Sequence, residues 1–208
     1  MTDVRATIVT DDDRHGDSRE RIIDAATALF VRDGYRATSL KAIAEQVGMS
    51  PPALYWHFES KQHLFLASME HLLETFMASV EARLTGATPP ALLRQFVTAH
   101  AVWKLEQREA AGAYTMALGM RDIVHTLSPR HRRSLVAKQR RHLDRLRGIL
   151  DAGVAGGAFV IEDIRVTAFA IITLCEHVQS WYDPTGELSP DDVAERYAEL
   201  VLAMVRAG

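Results

Sequence analysis

Apolar residues first recur at helical spacing at Ile22, Ile23, Ala26, Leu29 and Phe30, with Arg21 and Asp24 facing the other way. Ser18 stands where an N-cap is needed and Gly34 where a C-cap ends the run, which predicts a helix of about four turns. Thr38 or Ser39 caps a second helix carrying Leu40, Ile43, Ala44 and Val47, and Gly48 stops it after about two turns. Ser50 caps a third helix. Pro51 and Pro52 occupy its first turn, where backbone N–H groups lack intrahelical partners and a missing donor costs little. This helix runs to about Phe58, and only Gly48 and Met49 separate it from the second, the tight glycine-containing connection of a helix-turn-helix. Ser60 then caps a long fourth helix, with Leu64, Phe65, Met69, Leu72, Leu73, Phe76 and Val80 as its apolar stripe and an end near Gly86.

Pro89-Pro90 opens the second half, and helical spacing resumes at Ala91 with Leu93, Phe96, Val97, Trp103 and Leu105. Further helices are predicted over 108–124, 130–153, 162–182 and 190–206, broken by Ser128-Pro129, by the glycines from Gly153 to Gly157, and by Asp183-Pro184-Thr185-Gly186. Ser189-Pro190-Asp191-Asp192 combines a cap, a proline and two acids that suit the positive end of a helix dipole. No stretch alternates with period two for long. The expected fold is all-α, with about nine helices. The expected organisation is a disordered arm over 1–17, a three-helix helix-turn-helix DNA-binding domain over 18–62, and a helical ligand-binding and dimerisation domain over 63–208.

Composition narrows this picture only slightly. The single cysteine, Cys175, has no partner for an internal disulfide, and Asp11-Asp12-Asp13 stand where a signal peptide needs apolar residues, so the expected address is cytoplasmic. The longest apolar run, Val166 to Cys175, is broken by Thr167 and Thr173 and falls short of the roughly 20 residues that span a bilayer. A net charge of −3 argues against a broad cationic surface, yet Asp3 and Asp11 to Asp13 concentrate the acid near the start and leave Arg14 to His63 nearly balanced. A small basic footprint remains compatible with that distribution.

The third helix reads Ser-Pro-Pro-Ala-Leu-Tyr-Trp-His-Phe over 50–58. Leu54 and Phe58, four apart, share a face and are expected to pack on Ile43, Val47 and the first helix. Tyr55, Trp56 and His57 then point elsewhere. With Lys61 one turn on, they offer donors to a sugar-phosphate backbone, the alternative being an ordinary amphipathic helix. The segment Thr38-Ser-Leu-Lys-Ala-Ile-Ala-Glu-Gln-Val-Gly-Met-Ser50, followed by Ala53-Leu-Tyr-Trp-His-Phe58 and Lys61, resembles the signature of the TetR family of bacterial repressors, over roughly residues 18–66. The resemblance implies that Lys41 reaches a base edge, that Ser50, Pro52 and Ala53 approach the groove, and that Ser39, Tyr55, His57 and Lys61 hold phosphates. Thr38, Pro51 and Trp56 complete the candidate DNA-contacting set. Two adjacent prolines imply that base readout from Pro51 to Ala53 is mainly apolar, as toward thymine methyls.

In the second half, Leu135, Val136, Leu143, Leu146, Ile149 and Leu150 share one arc of a helix whose remainder carries Arg130, Arg133, Lys138, Arg140, Arg141, Arg145 and Arg147. Two readings stay open: a solvated cationic face, or a face that with Arg132 or Arg121 binds the phosphates of an anionic ligand. The helix around Thr167 to Trp181 is apolar on most sides, and Val193, Tyr197, Leu200, Val201 and Met204 line up on the last one, which suggests a two-fold four-helix interface. Relatives in the TetR family dimerise through their last two helices. The stretch Arg140 to Phe159, with Gln179 to Ser189, is also similar to the sensing domains of TetR-type regulators of fatty-acid and steroid breakdown, whose effectors are acyl-CoA thioesters. Helical phase nominates Trp103, Tyr114, Met116, Met120, Phe169 and His177 as cavity residues, each equally suited to plain core, with Arg133 and Arg140 as the anion-binding edge.

Nine histidines invite a metal reading, but no His-x-x-x-His pair occurs, and Cys175-Glu176-His177 sends consecutive side chains to different faces. No catalytic or phosphate-binding fingerprint is present, so neither metal, cofactor nor enzymatic activity is expected. The expected function is a dimeric repressor that holds a palindromic operator and is released by a small molecule, for which the second resemblance implies an acyl-CoA thioester. The alternatives are a sensor of neutral hydrophobic compounds such as a drug, and a helical ligand-binding module or enzyme that kept the N-terminal fold as a scaffold.

Overall fold

The computed structural model describes residues 11–107 and 129–205, without the side chains of residues 11–17, 131 and 132. Among the described residues there are eight α-helices and no strand: α1 (Asp11–Ala37), α2 (Leu40–Val47), α3 (Pro51–His57), α4 (Lys61–Arg83), α5 (Pro89–Glu106), α6 (Pro129–Ala155), α7 (Ile164–Glu176) and α8 (Pro190–Val205), with a 3₁₀ turn at Val178–Ser180. The helix predicted over 108–124 lies outside the described residues. Among them, no helix is long and apolar enough to cross a membrane. The chain divides into two compact units, residues up to His71 and residues from Leu72 on.

The first unit is built by α1 to α3 and the start of α4. Helix α1 opens at Asp11, ahead of the expected cap Ser18 and within the stretch read from sequence as an arm. Ile22, Ile23, Ala26, Leu29 and Phe30 are buried as their spacing requires. At Gly34 the backbone leaves helical geometry with φ 80°, a conformation that carries no steric penalty without a Cβ. Phe30 meets Phe65 edge-on at 5.1 Å between centroids, and Tyr35 closes the trio at 4.7 Å from Phe65.

In the second unit α5 is the central helix, packed by α6 and α7 and most extensively by α8. It begins at Pro89 rather than Ala91, because Thr88 supplies the cap and both prolines fit the first turn, where their absent N–H groups have no partner to lose. Leu93, Phe96 and Val97 of α5 are fully buried, as are Leu146 and Leu150 of α6 and Ala168 and Cys175 of α7. Each large side chain removed from water in this way contributes about 1.5–3 kcal/mol before entropy is counted. Helix α7 is shorter than the span predicted over 162–182. Asp163 caps it by accepting the N–H groups of Arg165 (2.8 Å) and Val166 (3.2 Å), and its last turn passes into the 3₁₀ segment. Phe159 lies against Gly153 so closely that a Cβ there would come within 1.9 Å of its ring. Helix α8 starts at Pro190 with a reciprocal cap, Ser189 Oγ accepting the Asp192 N–H at 3.1 Å and the Asp192 carboxylate accepting the Ser189 N–H at 3.0 Å.

Candidate nucleic-acid interface and ligand cavity

The turn between α2 and α3 is fixed by backbone chemistry. Gly48 adopts the left-handed conformation (φ 72°, ψ 30°), its N–H reaching Glu45 O at 3.2 Å while the Met49 N–H reaches Ala44 O at 2.9 Å. Ser39 caps α2 by accepting the Ala42 N–H at 3.0 Å, and Ser50 caps α3 by accepting the Ala53 N–H at 3.4 Å. Leu54 and Phe58 are fully buried with Ile43 and Ala44, so they anchor α3 from one side. Its other side faces out. Trp56 is 90% exposed and Tyr55 54%, Pro51 and Pro52 are exposed, and Ala53 and His57 are half-buried. Lys41 projects from α2 beside Glu45, at 3.8 Å.

Two candidates from the sequence are held differently. Thr38 is 3% exposed and its hydroxyl donates to Gly34 O (2.8 Å) and Leu29 O (3.2 Å), so it ties the α1–α2 turn together and leaves outward contacts to Ser39. Lys61 is half-buried. Its ammonium donates to Arg36 O at 3.2 Å and lies 4.5 Å from the Tyr35 ring centroid, and burial pushes its pKa below the ordinary lysine value. Within α3 there is no acidic residue, so this face presents phenol, indole and imidazole groups and two proline rings.

The second unit contains a half-open cavity of about 340 Å³. Its apolar wall is made by Leu72, Leu73 and Phe76 from α4, Trp103 from α5, Val136 and Leu143 from α6, and Phe169 and Ile172 from α7. Exposure distinguishes two ends. Gln139, Arg140 and Phe169 are exposed and form the mouth, whereas Phe76, Lys104 and His142 belong to the inner wall. The Phe76 ring meets those of Trp103, His100 and His142 at steep angles, each at 4.8 Å between centroids.

A polar cluster forms part of this inner wall. Lys104, 2% exposed, donates to Glu176 Oε2 at 2.5 Å. His100, fully buried, places Nε2 3.3 Å from Glu176 Oε1 and Nδ1 3.4 Å from His142 Nε2. Burial pushes the Glu176 carboxyl up, but the His100 ring and the Lys104 ammonium outweigh it and hold the group at about 2. Burial drives His142 down to about 3, with His100 reinforcing the shift, and pushes His100 down against the pull of Glu176. At neutral pH both rings are therefore uncharged, and the cluster consists of one cation and one anion.

Of the residues nominated for a ligand, Trp103, Arg140 and Phe169 line the cavity. His177 does not: it is the exposed C-cap of α7, turned away by one residue from Glu176. Arg133 is exposed and lies outside the lining, two turns before Arg140 on the same side of α6. Tyr114, Met116, Met120 and Arg121 lie outside the described residues, as does the side chain of Arg132. Much of the remaining cationic face of α6 is paired, with Lys138 to Glu74 at 2.7 Å and Arg145 to Glu81 at 3.0 Å. Lys104, Glu176 and His142 were not nominated. Their signal was available in part, since His100 and Lys104 are one turn apart on a helix face otherwise occupied by Phe96 and Val97.

Comparison with known proteins places both units. The family model described as "Bacterial regulatory proteins, tetR family" matches residues 22–68, and that described as "Tetracyclin repressor-like, C-terminal domain" matches residues 86–205. The transcriptional repressor KstR2 of Rhodococcus jostii is 29% identical over 197 residues, covering 92% of this chain and 93% of that protein. A tetR-family regulatory protein from Rhodococcus RHA1 superposes with a TM-score of 0.76 at 30% identity, covering 92% of this chain and 98% of the other. AibR, solved with isovaleryl coenzyme A and operator DNA, shares the fold with a TM-score of 0.69 at 23% identity, over 91% of this chain and 98% of its own.

Proposed function

Because the chain belongs to the TetR family of bacterial regulatory proteins, we propose that it is a transcriptional repressor, a dimer that holds a palindromic operator and releases it when a small molecule fills the cavity of the second unit. One observation carries this reading: the same chain joins an outward-facing α3, anchored by Leu54 and Phe58, to an apolar cavity with an exposed mouth. Tyr55, His57 and Lys61 contact phosphates, Lys41 reaches a base edge, and Pro51 to Ala53 meet the groove through apolar surface. Retardation of the DNA flanking the chain's own gene, measured with and without candidate effectors, tests the whole reading. No retarded band at low salt would sink it.

The dimer forms through α7 and α8. Val166, Leu200 and Met204 stay exposed in the single chain, apolar surface on two helices that both pack on α5, which a two-fold partner covers. Val201, grouped with them on sequence, is fully buried inside its own unit and takes no part.

For the effector we favour an acyl-CoA thioester. The cavity lies at the small end of the roughly 300–1,000 Å³ range of ligand sites, so it takes the acyl moiety and leaves the nucleotide at the mouth, where Arg140 offers a planar fork to phosphate. AibR, similar to this chain in fold, binds isovaleryl coenzyme A, which supports this chemistry. A coenzyme A ester is expected to release the operator where the free acid does so poorly, and Arg140→Ala to weaken the ester more than Arg133→Ala does. Equal potency of ester and acid would favour the second reading, a sensor of neutral hydrophobic compounds, which the largely apolar cavity wall also suits.

A further inference from the structure

Lys104 and Glu176 form a buried ion pair that packing does not require. Desolvation offsets most of the attraction in such a pair, and apolar residues of equal volume generally hold helices together as well. This pair instead borders the inner end of an apolar cavity, with His142 beside it. We infer that the inner end of the cavity recognises an uncharged hydrogen-bonding group, a hydroxyl or carbonyl at the end of an apolar moiety, and excludes carboxylate and ammonium groups from that position.

A carboxylate approaching the Lys104 ammonium also approaches the Glu176 carboxylate, whose Oε2 lies 2.5 Å from Nζ, so attraction and repulsion largely cancel while the ligand's own desolvation remains uncompensated. An incoming ammonium meets the same cancellation with the signs reversed. A hydroxyl has no charge to desolvate and is amphoteric: it accepts from an ammonium with three N–H donors and donates to a carboxylate with several lone-pair sites. A carbonyl uses the ammonium or the His142 ring. The anionic part of any ligand belongs at the other end, beside Arg140. This deepens the effector reading above by specifying what the far end of the buried moiety carries.

The test uses 1-octanol, octanoate and octylammonium, titrated calorimetrically into the full chain carrying Arg140→Ala, which removes the mouth cation able to hold a carboxylate in the reverse orientation. Octanol is expected to bind at least about tenfold more tightly than either ion. Adding Glu176→Gln should bring octanoate to first place, because the Lys104 charge is then no longer balanced. Adding Lys104→Met should do the same for octylammonium. The inference is overturned if either ion matches octanol in the Arg140→Ala chain, if none of the three binds up to its solubility limit, or if the order is unchanged in both folded variants. Should either variant fail to fold, the order of the three probes in the Arg140→Ala chain decides alone. Operator release by a coenzyme A ester is read separately, so failure of the effector reading leaves this preference measurable and the reverse also holds.

Discussion

The two units place their polar chemistry in opposite ways. In the first, α3 is pinned by two buried residues and turns Tyr55, Trp56 and the prolines outward, and the groups proposed to contact DNA lie within one short helix and its flanks. In the second, the polar groups lie inward: Lys104 from α5, Glu176 from α7 and His142 from α6 meet at the inner end of an apolar cavity. An outward surface built from one segment can be altered residue by residue at small cost. A buried constellation from three helices makes stability and recognition inseparable, because removing one member strands another.

Val201→Glu and Leu200→Glu separate core from interface on adjacent residues. Val201 is 0% exposed, so a carboxylate there has neither water nor a partner, costing several kcal/mol and unfolding the second unit. Leu200 is 58% exposed, so Leu200→Glu should keep the helical content and melting of the single chain while dimers dissociate. Circular dichroism with sedimentation distinguishes the outcomes. A dimeric Leu200→Glu variant would move the two-fold interface away from α8.

Next in size is the charge pair. Glu176→Ala leaves the Lys104 ammonium buried and unpaired and should cost about 3 kcal/mol in denaturant unfolding, the lower end for buried pairs because a third of the Glu176 side chain meets solvent. Replacing both residues, Lys104→Met with Glu176→Leu, should recover most of that loss. If Glu176→Ala unfolds at the same denaturant concentration as the unaltered chain, the pair is not closed in solution.

How much of this was legible follows the same division. Spacing and caps gave the positions of α2, α3 and their turn, because Ser39, Gly48 and Ser50 act on backbone groups within a few residues. They also gave Leu54 and Phe58 as the anchored face. Thr38 falls with the outward set on sequence because the chain does not say which of two adjacent hydroxyl residues turns inward; the kink at Gly34 decides it by presenting its carbonyl to both the N–H and the hydroxyl of Thr38. The cavity was harder to read. Helical phase found Trp103 and Phe169, but it also chose His177 over Glu176, since a shift of one residue rotates a side chain about 100° around the helix axis. Val201 and Leu200 were joined for the same reason. A buried charge pair depends on residues 72 apart in the chain, and no local pattern links them.

Acid should affect the second unit through the histidines. The His142 pKa is lowered in the folded chain to about 3, below its unfolded value, so between those values the unfolded chain binds more protons and stability falls as pH decreases. His100 shifts in the same direction, and Glu176, lowered to about 2, adds a further loss once pH passes below the ordinary carboxylate range. At pH 5 the His142 contribution is about 2 kcal/mol, since one pKa unit corresponds to about 1.4 kcal/mol. His142→Phe should flatten the decline between neutral pH and pH 5, read from unfolding at a series of pH values. An unchanged slope would assign the acid sensitivity to other groups.

The smallest effects on stability should be on the outward face, where the proposed contacts with DNA are largely separate from folding. Lys61 is the intermediate case, because its ammonium already serves Arg36 O and the Tyr35 ring. Lys61→Ala should therefore lower stability by about 0.5–1 kcal/mol, the scale of an exposed cation–π contact. If the same ammonium also meets a phosphate, Lys61→Ala should weaken binding to all DNA sequences alike and reduce the salt dependence by about one ion. Lys41, exposed and only loosely paired with Glu45 at 3.8 Å, has no structural task, so Lys41→Ala should leave unfolding unchanged and alter the ranking of operator variants instead. The two lysines thus give opposite signatures in a salt titration across a panel of operators. Uniform weakening by Lys41→Ala would remove its base-reading role and make it a second phosphate contact. A salt slope unaltered by Lys61→Ala would leave Lys61 as a cap on α1 with no part in holding DNA.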